Sequence, residues 1–234
     1  RAPLADIWIS KIIEYGKIDE NSKVLDVGCG TGRVSEAIST SKNAKVYSMD
    51  ASAEMLKKGV VKDRDRRILW LLGDAHRPPF MEDCFDCVYM TLVIHHLDDE
   101  ALALQEIHRI LKEDGNCVIM TISHSRLKRH VISNFPGVTA IDMRRFPSIP
   151  SIKGLMVKVG FRSVHSHVVK YDYGTLSMAE LLNRVRNKYI STLTLLSEEQ
   201  FQKGFKTFQE RVKKKYGDQV RWWISEFNFV VGQK

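Results

Sequence analysis

Four cysteines in 234 residues (Cys29, Cys84, Cys87 and Cys117) are too few for a disulfide framework. Cys84-Phe85-Asp86-Cys87 has C-x-x-C spacing, but no second Cys or His pair follows at a zinc-like distance. Neither a metal site nor a redox site is expected, and the thiols read as reduced side chains in or beside apolar runs. No stretch approaches the roughly 18 consecutive apolar residues of a membrane span, and no signal-type segment opens the chain. No membrane partner is therefore expected, and a cytoplasmic location is. The first residue is Arg1 and not Met, which reads as sequence removed or omitted upstream. Ser-His-Asp and Cys-His words are missing as well, so nothing points to covalent hydrolysis. Acidic residues are in short supply, 28 against 36 basic, for a net charge of +8. Such an excess fits an RNA partner, an acidic substrate or a solvated basic face.

What is present is an ordinary globular composition, 44% hydrophobic and 27% charged, at a length that fits one large domain or one domain with an insertion. Its organising stretch is Val24-Leu25-Asp26-Val27-Gly28-Cys29-Gly30-Thr31-Gly32-Arg33. A short apolar run bounded by polar residues and glycines reads as a buried parallel strand. The glycines that follow allow positive φ and let a ligand lie against the backbone. Val34 to Ile38 then resumes with helical spacing. Strand, glycine turn and helix start make a nucleotide-type site. A dinucleotide fold wants G-x-G-x-x-G, with its third glycine one place later than here.

Further strands are read at 45–50, 68–75, 86–94 and 116–122, with helices at 4–15, 33–40, 53–62 and 100–111. Leu4, Ile7, Trp8, Ile12 and Tyr15 form the apolar stripe of the first helix. Strands alternating with helices at this period mean a doubly wound α/β sheet with its site at the carboxyl ends of the strands. Asp50 ends the second strand, 22 positions after Gly28. An acid there can accept from both ribose hydroxyls, or cap the next helix, a task open to Ser52 as well.

These words, together with Gly73-Asp74-Ala75, Phe85 through His95-His96-Leu97, and Glu106 through Gly115, resemble the successive motifs of the type 11 class I S-adenosylmethionine (SAM) methyltransferases over residues 20–122. The resemblance implies a Rossmann-like fold with a seven-stranded, mostly parallel sheet, helices on both faces, and SAM as cofactor. It implies cofactor contacts at Asp26, Gly28, Cys29, Gly30, Thr31 and Gly32 for the methionine part. Asp50, with Ala51 and Met55 beside it, meets the ribose; Asp74 and Ala75 meet the adenine; Met90 and Thr91 line the cofactor.

Residues 1–122 would form the SAM-binding core. Residues 123–175 would supply a loop-rich substrate-side segment, a helix from Ile152 and strand six (Val164, Val168 and Val169 inward). Residues 176–219 would form a helical cap, with helices at 176–189 and 198–216, and residues 220–234 the final strand, with Trp222-Trp223-Ile224 at its start. In the last helix Phe201, Phe205, Phe208 and Val212 share one face, at a spacing that suits packing better than base stacking.

Methyl transfer from a sulfonium is an in-line displacement, so the protein aligns the reactants and excludes water. A general base is needed only for a protonated acceptor. His95 and His96 are the candidates, one pointing in and the other away; the alternative is that both cap the turn. His124 is a second candidate, and His165 and His167 read as exposed or structural. The expected function is methyl transfer from SAM to a small molecule. Two alternatives stand beside it. Val93-Ile94-His95-His96-Leu97 also resembles the tRNA wobble-uridine carboxymethyl ester methyltransferases, which with the +8 charge points to RNA. The other is a catalytically silent SAM-binding partner subunit.

Overall fold

The computed structural model describes residues 4–171, 174–221 and 225–234, with the side chains of 4–6, 220, 221 and 225 outside the description. The first half runs α1 (Leu4–Gly16), β1 (Lys23–Val27), α2 (Arg33–Lys42), β2 (Lys45–Asp50), α3 (Ala53–Lys62), β3 (Ile68–Leu72), β4 (Phe85–Thr91), a 3-10 turn at Ile94–His96, α4 (Glu100–Ile110) and β5 (Leu111–Thr121). The second runs α5 (His124–Arg129), a 3-10 turn at Val131–Asn134, α6 (Val138–Arg145), α7 (Ile149–Val159), β6 (Arg162–Tyr171), β7 (Thr175–Ser177), α8 (Met178–Arg186), α9 (Ser191–Thr194), α10 (Glu198–Tyr216), β8 (Gln219–Arg221) and β9 (Ser225–Gln233).

Seven strands form one sheet in the order β3-β2-β1-β4-β5-β9-β6. The first five pair in parallel, and β9 returns antiparallel to β5, with Met120 opposite Phe229. This is the seven-stranded, mostly parallel Rossmann-like α/β sheet expected from the sequence. Successive residues Cys87, Val88, Tyr89 and Met90 are all buried to 1% or less. A strand buried at every position is covered on both faces, which is how the parallel centre of an α/β fold must sit.

Capping residues begin the helices where the apolar periods begin. Ser52 accepts from Met55 N at 3.3 Å and Asp99 from Leu102 N at 2.9 Å. Ser197 and Gln200 form a reciprocal capping box at the start of α10.

The chain forms two compact units: residues 1–121, 149–167 and 228–234 in the first, and 122–148 with 168–227 in the second. The first unit's core is built on Leu25, Val27, Phe85, Val88, Leu104 and Ile119. That of the second gathers Phe135, Leu181, Val185, Phe201, Phe208 and Val212, so the aromatic stripe of α10 is packing.

Several local expectations are revised. The stretch 123–150 is not loop-rich but folds into α5, a 3-10 turn, α6 and the start of α7. Its helices are too short to display two turns of apolar period, and they are held by caps such as Ser123 and by a buried Asp142–Thr192 hydrogen bond. Leu176 belongs to β7, paired antiparallel to β8, and Ser177 caps α8. A three-residue strand whose partner lies far along the chain leaves no local period. Val168, expected inward, is 53% exposed. Leu4 and the Trp222-Trp223-Ile224 run lie outside the described side chains; Ile9 and Ile12 are buried apolar residues of α1.

Candidate active site

The glycine word forms the turn from β1 into α2. Gly28, Gly30 and Gly32 have φ of 71°, 56° and 70°, but their missing side chains serve different ends. A Cβ on Gly28 would overlap Val93 and one on Gly32 would overlap the Trp70 ring, whereas one on Gly30 would meet open space. Gly28 N and Cys29 N both donate to Met49 O, Gly30 N donates to Asp50 Oδ2 at 2.7 Å, and Gly32 N donates to Cys29 O. Amides committed in this way do not form the ring of free N–H groups that a pyrophosphate requires.

Asp26 is 2% exposed. Its Oδ2 accepts from Ser35 Oγ at 2.5 Å, and Ser48 Oγ donates to Ser35 Oγ at 2.7 Å, so one polar chain ties β1, α2 and β2 together. Its Oδ1 has no hydrogen-bond partner among the described residues. Asp26 is one of the residues lining a cavity of about 200 Å³, together with Trp8, Gly28, Cys29, Arg33 and Thr91. Burial pushes the Asp26 carboxyl up to about 7. Burial, then the Asp26 and Asp50 charges, raise the Cys29 thiol, which removes it as a nucleophile.

Arg33 is exposed, lines the same cavity and has no ion pair or hydrogen bond to its guanidinium among the described residues. It occupies the first position of α2, where the helix dipole disfavours a cation. That misfit was the signal available in the sequence, and it was not read. Trp8, on α1, was placed there on an apolar stripe and not at a site, because only the fold brings α1 to the turn.

Asp50 accepts from two amides, Gly30 N at Oδ2 and Ser52 N at Oδ1 (2.8 Å), so it braces the glycine turn as well as ending β2. Ser52, not Asp50, caps α3. Ala51 and Met55 beside it are exposed. Past β3, Asp74 Oδ1 accepts from His76 N and pairs with His76 Nδ1 at 2.7 Å; these bonds lower its pKa, with the backbone bond the largest cause. Ala75 is buried.

At the end of β4 the two expected lining residues divide. Met90 is 1% exposed and its side chain belongs to the core, while Thr91 lines the cavity with Oγ1 lacking a hydrogen-bond partner among the described residues. Strand alternation sends neighbours to opposite sides. The imidazoles divide too: His95 is buried and His96 exposed, their rings 4.2 Å apart, and neither lines the cavity. His124 Nε2 pairs with Phe146 O at 2.6 Å. His167 stacks on Tyr15.

A family model described as a methyltransferase domain matches residues 25–119, from the glycine word to the end of the parallel strands. The chain is 27% identical over 185 residues to the ubiquinone/menaquinone biosynthesis C-methyltransferase UbiE of Pectobacterium carotovorum, covering 68% of this chain and 74% of that protein. A solved protein of Anabaena variabilis, assigned as a methyltransferase of an antibiotic biosynthesis pathway, matches with a TM-score of 0.80 at 21% identity, over 97% of this chain and 96% of its own. Phosphoethanolamine N-methyltransferase 2 of Haemonchus contortus, solved with SAM, matches with a TM-score of 0.61 at 19% identity, over 97% of this chain and 52% of its own. By the methyltransferase domain matched over 25–119 and by its sequence relatives the chain is a SAM-dependent methyltransferase, and its fold is that of the solved methyltransferases it resembles.

Proposed function

We propose that the cavity beside β1 takes the amino-acid end of SAM, with Asp26 Oδ1 accepting from its ammonium and Arg33 facing its carboxylate. The observation that carries this reading is a buried carboxylate oxygen without a partner and a guanidinium without a partner on one cavity: a zwitterion supplies what each lacks. Asp50 is assigned to the ribose hydroxyls, with Ala51 and Met55 flanking it. Asp74 and Ala75 are assigned to the adenine, and Thr91 to the cavity wall. When bound, SAM supplies a methyl group already activated by a sulfonium. The chain's residues then have to orient the acceptor and keep water out. The chain is a methyltransferase of small molecules.

For an acceptor that must lose a proton, His95 or His96 is assigned as general base, the imidazole being the side chain that most readily exchanges a proton near neutral pH. The test uses methyl-labelled SAM and a cell extract separated into small-molecule, RNA and protein fractions. Label is expected in the small-molecule fraction. A base predicts that His95→Ala or His96→Ala loses at least about tenfold in turnover with SAM affinity kept; turnover unchanged in both removes the base role.

Asp26 also makes a pH prediction. Its carboxyl is raised to about 7 in the folded chain, against about 3.9 unfolded. Between those values the folded state holds a proton that the unfolded state has lost. The contribution to stability is therefore fully present below about pH 4 and is lost as pH rises through 7. Without SAM, the wild type should lose stability from pH 5 to 8 relative to Asp26→Asn, read from denaturant midpoints at each pH. Parallel profiles would show that Asp26 does not titrate in that window.

A further inference from the structure

The net charge of the chain resides in one of its two units. Residues 122–148 and 168–227 hold 16 basic and 8 acidic side chains, a net of +8, while the rest of the chain holds 20 of each. Most of these cations, such as Lys203, Lys206 and Lys213–Lys215 on α10, are exposed, where water screens them and no partner is needed.

Arg126 on α5 differs. It is half-buried, and its guanidinium makes no hydrogen bond or ion pair among the described residues. Burial, ahead of every other influence, pulls its pKa down; Glu226, Arg129 and Tyr189 are the groups whose charges reach it. Glu226 is already shared. Arg129 donates to both of its oxygens, at 3.1 and 3.2 Å, and Lys170 Nζ stands 3.9 Å from one of them. The Glu226 side chain is only 13% exposed. Two cations thus share one largely buried carboxylate, and Arg126, one helical turn before Arg129 on α5, has none of its own, so a charge of +2 is left over. His130 adds nothing to it, since burial and Arg126 push its imidazole down to about 4.

A guanidinium held half out of water without an anion destabilises the fold. An anion bound beside it would supply the partner it lacks. We propose that Arg126, Arg129 and Lys170, with Glu226 among them, form an oxyanion site of the second unit that takes a carboxylate or a phosphate group of a small-molecule ligand.

Calorimetric titration of the whole chain with inorganic phosphate, with acetate and with SAM tests it. Saturable binding of phosphate or acetate is expected, weakened about tenfold or more by Arg126→Gln and by Arg129→Gln, and unchanged by Lys214→Gln. The tighter of the two anions identifies the acidic group. SAM affinity should be the same in all variants. Arg126→Gln should also melt no lower than the wild type in the absence of anion and lose the rise in melting temperature that phosphate produces; a structural role predicts a drop instead. Equal anion binding by wild type and Arg126→Gln, or no anion binding by the wild type, overturns the site. So does a short RNA oligomer that binds through Arg126 more tightly than phosphate, with a steep salt dependence, because it assigns the cluster to nucleic acid. Failure of the wild type to bind SAM would remove the methyltransferase reading and leave the anion result standing.

Discussion

Gly32→Ala should cost the fold about 2–5 kcal/mol, the sum of a left-handed backbone at an L-residue and an overlap in a packed region. Gly32 has φ 70°, and a Cβ there runs into the ring of Trp70. The Trp70 Nε1 donates to Asp63 Oδ2 at 3.0 Å, and the ring's other side lies on Gly59 of α3, where a Cβ would overlap the same ring atoms. Trp70 is thus clasped between the two glycines and anchored at its polar edge. A sign reversal follows. Gly to Ala inside a helix ordinarily stabilises by roughly 0.5–1 kcal/mol, but Gly59→Ala should destabilise here. Thermal melts and denaturant midpoints of Gly32→Ala, Gly59→Ala and each combined with Trp70→Leu measure this. The doubles should lose much less than the sum of the singles, because removing the ring removes the overlap. Additive losses, or a Gly59→Ala variant more stable than the wild type, would show that the clasp does not exist.

Asp50→Ala should weaken SAM binding by about 1–3 kcal/mol, the effect of leaving hydrogen-bonding groups without a charged partner, or roughly five- to a hundredfold in Kd. Two effects add. The ribose hydroxyls assigned to Asp50 lose their acceptor, and the amides of Gly30 and Ser52 lose theirs, which loosens the turn the cofactor lies against. Asp50→Asn is not a neutral control. Both carboxylate oxygens accept from backbone N–H groups, so an amide in either orientation sets its NH2 against one of those donors. Asn should therefore resemble Ala in SAM affinity. Calorimetry with SAM decides it: affinity unchanged in both variants would sink the ribose assignment, and loss in Ala with retention in Asn would favour a turn that tolerates the flipped amide.

Local patterns determined much about this protein. The apolar period places β2, α3 and α10 at the boundaries found, because each is long enough to show its own repeat and the two helices carry their own caps at Ser52 and Ser197. The glycine word at 28–32 and the acid at 50 were legible for the same reason: a turn with positive φ and a strand tip are local events. The short helices of 123–145 were not, since six to eight residues are too few to display a repeated apolar period. Nor were the pairings that join distant residues. That Asp26 bonds Ser35 and Ser48, that Thr91 and not Met90 meets the cavity, that His95 is buried and His96 is not, and that Arg129 and Lys170 share Glu226 were decided by tertiary structure alone. A sequence records which residues alternate along an element; which of them finds a partner depends on the strand order β3-β2-β1-β4-β5-β9-β6 and on the elements packed beside it, and no local pattern carries that information.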